Sequence, residues 1–148
     1  MSFLLDAMCG KLAVYLRMCG YDAAYALDRG IEDDDRLLAW ARGEGRTLVT
    51  RDRQLAARAE DAILLTEREV DGQLAELQAA GIQLVLADEP GRCGACNGPV
   101  ERVAPEDRTP DYAPSPEETA VWRCTDCGQH FWKGSHWDRV RNVVESVE

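Results

Sequence analysis

The sequence is short of positive charge, and of lysine most of all. Lys11 and Lys133 are its two lysines among 17 basic residues, against 27 acidic ones, for a formal charge of -10. Residues 1–90 hold 17 acids against 10 bases and residues 91–148 hold 10 against 7, so both parts are acidic. That balance argues against non-specific sticking to nucleic acid through bulk attraction. Long hydrophobic runs are missing too. No stretch approaches the roughly 18 apolar residues a spanning helix needs, so no membrane segment is expected. The first residues place Asp6 early and have no basic start, so no secretory leader is expected. Neither G-x-G-x-x-G nor G-x-x-x-x-G-K-[ST] occurs, which removes support for dinucleotide or P-loop chemistry. Histidine is scarce, and His130 and His136 lie at the far end. Cys9 and Cys19 therefore lack a local base for a covalent mechanism and read as core packing.

The other four cysteines are paired, as Cys93-Gly-Ala-Cys96 and Cys124-Thr-Asp-Cys127, with 27 residues between the pairs. Two such knuckles suit one structural zinc held by four thiolates. Redox thiols are the alternative, and two matched knuckles argue against them. Paired thiols of this kind fit a reducing cytoplasm, the expected location. They divide the chain into residues 1–90 and a metal-pinned module at 91–148, whose folding energy is expected to come largely from the metal.

Within residues 1–90, strand-like and helix-like runs alternate. Strands are expected at 3–5, 22–27, 46–50, 62–66 and 82–86. Helices are expected at 8–19, between the acidic run 32–35 and Gly43, at 52–60 and at 69–79. Repeated strand–helix units favour a three-layer α/β fold, a parallel sheet with helices on both faces. Ligands of such sheets bind beyond the carboxyl ends of the strands.

Carboxylates stand at those ends. Asp6 follows the first strand and Asp28 the second, with Asp33, Asp34 and Asp35 beyond it. Asp52 lies two residues past the third strand, and Asp71 begins a later helix. Oxygen ligands suit Mg²⁺ or Mn²⁺, and two such ions would activate water and stabilise the leaving oxygen of a phosphodiester. Taken singly, Asp6, Asp33, Asp34, Asp35, Asp52 and Asp71 also fit helix caps, and Asp28 a turn. Lys11, Arg17, Arg51 and Arg53 flank this rim, where they can contact phosphates or simply solubilise the surface.

Beyond residue 90, a proline-rich loop spans 105–118, strands are expected at 121–123 and 129–132, and a helix at 137–146. In Trp132-Lys133-Gly134-Ser135-His136-Trp137, the aromatics can stack bases while Lys133 and His136 hold phosphate. The alternative is that Trp122, Trp132 and Trp137 cement the small module to the large one.

Taken in order, Phe3-Leu4-Leu5-Asp6-Ala7-Met8, Gly10-Lys11-Leu12-Ala13, Leu16-Arg17, Gly20-Tyr21-Asp22, Arg46 to Asp52, Cys93 to Asn97, and Trp132 to Trp137 make a combination that resembles the Mut7-C family. The resemblance covers nearly the whole chain. It implies a PIN-like nuclease domain at 1–90 followed by a zinc ribbon at 91–148, and metal-dependent hydrolysis of RNA, single-stranded or structured. Asp6 and Asp52 match its acidic positions, Asp34 best matches the one at the start of the second helix with Asp33 and Asp35 as the other registers, and Asp6, Asp34 and Asp52 would hold Mg²⁺ or Mn²⁺; Asp71 and Asp28 are candidates for the fourth. PIN-type folds often dimerise, so the resemblance also allows a homodimer. Two other classes stay open: a non-catalytic RNA-binding or ribosome-associated protein, and a phosphatase or DNA nuclease using the same acids.

Overall fold

The structure, a computed structural model, describes residues 1–147. Its centre is β1 (Ser2–Leu5), whose Phe3, Leu4 and Leu5 are all fully buried. A strand apolar on consecutive positions has no face for solvent, so it must lie inside a covered parallel sheet. It pairs in parallel with β2 (Asp22–Tyr25) on one side and β3 (Thr47–Thr50) on the other. β3 pairs in parallel with β4 (Ala62–Leu64), giving the order β2-β1-β3-β4.

Side-chain alternation sorts the sheet into two faces. Phe3, Leu5, Ala23 and Val49 pack against α1 (Gly10–Met18), α4 (Val70–Ala79) and α5 (Ser135–Ser146). Leu4, Ala24 and Leu48 pack against α2 (Asp34–Glu44) and α3 (Arg53–Arg58). The expected three layers are present. The chain leaves β1 toward β2 and later returns to pair β3 on its other side, so the direction of winding reverses between β1 and β3. That reversal opens a crevice beyond their carboxyl ends.

Three expectations need correction. Residues 82–86 form no strand. Ile82 and Leu84 are buried and their neighbours face out, but the alternation is satisfied by packing into the helical layer rather than by pairing. The segment is tied down by Tyr21 Oη donating to the Gln83 carbonyl at 2.7 Å and Ala87 N to the Met18 carbonyl at 3.3 Å. β2 stops at Tyr25, and Ala26–Arg29 coil into a 3-10 turn that carries Asp28. The first helix begins with a separate 3-10 turn, Ala7–Cys9, ahead of α1.

The C-terminal part contains β5 (Val100–Arg102), β6 (Trp122–Cys124) and β7 (His130–Phe131) in an antiparallel sheet. The first of these had no counterpart in the sequence reading. α5 then leaves the small sheet and buries Val140 and Val144 in the cluster that contains Phe3 and Leu12. The main core thus draws on residues from both sides of position 90.

The first cysteine knuckle covers the open edge of β2. Ala23 N donates to Asn97 Oδ1 at 3.0 Å, and Asn97 Nδ2 donates to Asp22 Oδ1 at 2.7 Å. An uncovered edge would offer its N–H groups to another chain. Asp22 also receives Arg46 at 2.8 Å. Burial opposes its ionisation, but the bonds from Arg46 and Asn97 outweigh this and hold its carboxyl below the usual range.

Candidate active site and metal centre

The crevice between β1 and β3 is organised by Asp6, which follows β1 directly and is 6% exposed. Its Oδ1 accepts from Met8 N at 3.1 Å, which caps the 3-10 turn. Its Oδ2 accepts the hydroxyl of Thr50, the fully buried last residue of β3. Thr50 Oγ1 in turn accepts from Asp52 N at 3.0 Å, so one threonine links the two acidic loops. Asp52 is exposed and caps α3, its Oδ1 accepting from Gln54 N at 2.9 Å and Leu55 N at 3.2 Å.

The acidic run before α2 divides its labour. Asp33 caps the helix through Arg36 N at 3.2 Å, and Asp35 pairs with Arg58. Asp34 is half-buried. Among the described residues Asp6, Asp34 and Asp52 form no ion pair, whereas Asp22, Asp28, Asp35 and Glu44 each do. Asp71 is exposed at the start of α4, bonded to its neighbour Gly72 N at 2.9 Å.

Two further side chains close on Asp6. Tyr25 ends β2 and donates from Oη to the Ala7 carbonyl at 2.7 Å. Its ring lies against Gly10, where a Cβ would come within 2.7 Å. Glycine is required there for that close approach. Burial, then Asp28, Cys9 and Asp6, raise the Tyr25 pKa. Cys9 is buried beside Asp6; burial, then the carboxylate, push its thiol up to about 12, against a smaller opposing effect of Arg51.

The basic residues separate. Lys11 is exposed on the first turn of α1, and Arg53 is exposed on the first turn of α3. Arg51 is half-buried, and its Nε has no partner among the described residues. Arg17 does not belong with them. Its side chain is 3% exposed, and its guanidinium is occupied by the Ala23 carbonyl at 2.8 Å, the Gly94 carbonyl at 2.9 Å and Asp28 at 3.3 Å. It is an internal strut between α1, β2 and the first knuckle, and its pairing with Asp28 commits that acid as well. Lys133 and His136 sit apart from the rim: His136 lines a groove with Val14, Met18, Arg92 and Trp137 that contains no carboxylate.

Sequence reasoning missed Thr50 and Tyr25, and read Cys9 as packing without its acidic neighbour. A threonine ending an otherwise apolar strand and a tyrosine ending an alanine-rich one were the available signals.

The four paired cysteines meet. Cys93 and Cys127 sulfurs are 3.6 Å apart, Cys96 and Cys124 are 3.5 Å apart, and all four lie within 4.8 Å of one another. A zinc with bonds of about 2.3 Å to four thiolates would set sulfur–sulfur edges near 3.8 Å, so the donor set fits. The two knuckles repeat each other. Cys93 N donates to the Gly98 carbonyl and Cys124 N to the Gln129 carbonyl, both at 2.8 Å, with left-handed Asn97 and Gly128 in equivalent places. Burial opposes ionisation of Cys124, but the N–H groups of Cys127 and Asp126, with neighbouring thiols, bring it down to about 7. Burial pushes Cys93 up.

Among the described residues this is the one group of three or more potential ligands so closely gathered. The rim acids stand farther apart.

A parallel four-stranded sheet bearing acids at its reversal point, joined to four thiols that could hold a metal such as zinc, defines a mixed α/β protein. Residues 1–144 match the Mut7-C RNAse domain family, and the chain belongs to that family. The family's name supports a nuclease with RNA as its substrate class. No curated protein and no solved structure matches the chain significantly. No helix among the described residues is long and apolar enough to cross a membrane.

Proposed function

We propose that the protein is a metal-dependent ribonuclease whose reaction takes place at the rim formed by Asp6, Asp34 and Asp52. The observation that carries this reading is Asp6: a buried carboxylate at the reversal point of the sheet, with no cationic side chain paired to it among the described residues. Burying a charge without a counter-charge is costly, and a divalent cation would supply that counter-charge. When bound, Mg²⁺ or Mn²⁺ supplies activated water and neutralises charge at the phosphodiester.

The chain's own residues set the frame for that chemistry. Thr50 and Met8 N fix the Asp6 carboxylate in one orientation, which removes the reorganisation cost of a mobile ligand. Asp34 and Asp52 bring further oxygen donors from α2 and from the loop after β3. Lys11, Arg51 and Arg53 are placed to hold phosphate. Asp71 and Asp28 have weaker claims, one bonded locally and the other committed to Arg17. The four-thiol centre holds a structural zinc and takes no part in hydrolysis.

The deciding measurement is Mn²⁺-dependent cleavage of single-stranded RNA by wild type, Asp6→Asn and Asp34→Asn. Each variant is expected to lose about a hundredfold or more in rate. Among the described residues the Asp34 side chain makes no hydrogen bond and no ion pair, so its variant reports on chemistry without disturbing the fold. Undiminished activity in both variants would sink the assignment. RNA retention without turnover in the wild type would favour a non-catalytic RNA-binding protein instead.

A further inference from the structure

Both histidines fall between residues 130 and 136, and the fold brings them to one concavity with Trp132. Trp40, Trp122 and Trp137 are each less than a tenth exposed, whereas Trp132 is half-buried. It borders two concavities. One is walled by His130, Phe131, Ser135 and His136, and the other reaches Arg92 and Trp137. Neither has a carboxylate in its walls, in a chain with 27 acids.

Tyr112 joins this surface from the proline-rich loop. The residue is 52% exposed, and its ring lies 6.2 Å from the Trp132 ring, tilted 31° from it. It lies 6.2 Å from the His130 ring, edge-on, and its Oη accepts from His130 N at 3.1 Å. That bond fixes an exposed ring at the open edge of β7. Lys133 lies apart from this surface: its ammonium is 5.4 Å from the Trp137 ring centre, and it lines a separate concavity with Asp88 and Glu145.

We infer that Trp132, Tyr112 and His130 form a stacking platform for single-stranded RNA, with His136 beside it to meet phosphate. Every base has a π-face, so such a platform holds a strand with little regard to sequence. In a chain of this negative charge, stacking rather than bulk attraction carries the affinity. The choice of RNA as ligand rests on the ribonuclease reading; the platform's geometry does not.

The test is fluorescence anisotropy of a labelled oligouridylate of roughly ten nucleotides, bound to the full chain carrying Asp6→Asn, without added Mg²⁺ or Mn²⁺. Trp132→Ala and Tyr112→Ala should each weaken binding by about 5- to 100-fold, while Trp132→Phe keeps most of it. Zinc content and circular dichroism of every variant should match the parent. Undiminished binding by the alanine variants overturns the platform even where wild type cleaves RNA. Ring-dependent binding without cleavage upholds the platform and sinks the nuclease. Absence of RNA binding, with self-association that Trp132→Ala abolishes, overturns the platform in favour of a protein contact.

Discussion

Asp6 and Cys9 show how one buried carboxylate shapes its surroundings. Burial disfavours a thiolate, and a neighbouring carboxylate adds to the effect, so the Cys9 thiol is pushed up to about 12, and burial pushes Cys19 up to about 11. At neutral pH both are protonated and poor nucleophiles. Native protein should therefore resist iodoacetamide at both positions, and Cys9→Ala should retain RNA cleavage within about twofold, the uncertainty of such comparisons being small beside the effect of losing a catalytic group. The same shift makes stability depend on pH. On unfolding, Cys9 returns toward the ordinary thiol value of 9.0. Above that pH the unfolded chain sheds a proton that the folded chain keeps, so the unfolded state is favoured. The contribution is fully present below pH 9.0 and is lost as pH rises toward about 12. The urea midpoint should fall between pH 8 and pH 10.5, and fall less in Cys9→Ala; parallel declines would disprove the cause. The acids of this site were legible because each follows a recognisable strand or precedes a recognisable helix. Thr50 and Tyr25 were not, because their role depends on which strands lie side by side, and order within a sheet leaves no local mark on the sequence.

The first knuckle does two jobs as an element, and Asn97 performs both. Its φ of 72° lies in the left-handed region, which asparagine tolerates better than most residues. Its side chain pairs with the open edge of β2. The two contributions can be separated. Asn97→Gly keeps the backbone at ease and loses the side chain, which should cost about 1–3 kcal/mol for the orphaned edge groups. Asn97→Ala loses the same bonds and adds about 1 kcal/mol of left-handed strain. Chemical denaturation of both, with zinc retained, checks the order; equal stability of the two would place the whole effect in the side chain. Helices α1, α2, α4 and α5 were legible from spacing and caps, as were β1 and β3. Residues 82–86 misled because alternating burial is the signature of a strand whether or not a partner exists. The short β5 escaped because three residues of mixed character, paired by the geometry of the metal module, carry no periodic signal.

At the scale of the whole molecule, the thiol pattern suggests a boundary near residue 90, but the packing does not stop there. Val140 and Val144 of α5 are each 1% exposed, and they share a cluster with Phe3, Leu12, Leu74 and Leu77, all fully buried. Arg17 adds a polar tie across the same boundary through the Gly94 carbonyl. Removing residues 91–148 would uncover apolar surface on α1 and α4, strip the cap from β2, and leave the Arg17 guanidinium without one of its acceptors. Burial of a valine or leucine side chain is worth about 1.5–3 kcal/mol, and a domain of this size has a total stability of about 5–15 kcal/mol. Loss of several such contacts at once is enough to abolish the fold. A fragment of residues 1–90 should therefore show no cooperative melt and should aggregate, partly through the bared β2 edge, while the full chain melts in one transition. A fragment that gives a sharp thermal transition of its own would show that the parallel sheet stands alone and that α5 is an accessory. The one-transition outcome would mean that the zinc module and the sheet bearing the acids are a single cooperative unit. In that case the metal bound by Cys93, Cys96, Cys124 and Cys127 stabilises, through α5 and Asn97, the same strands that carry Asp6 and Thr50.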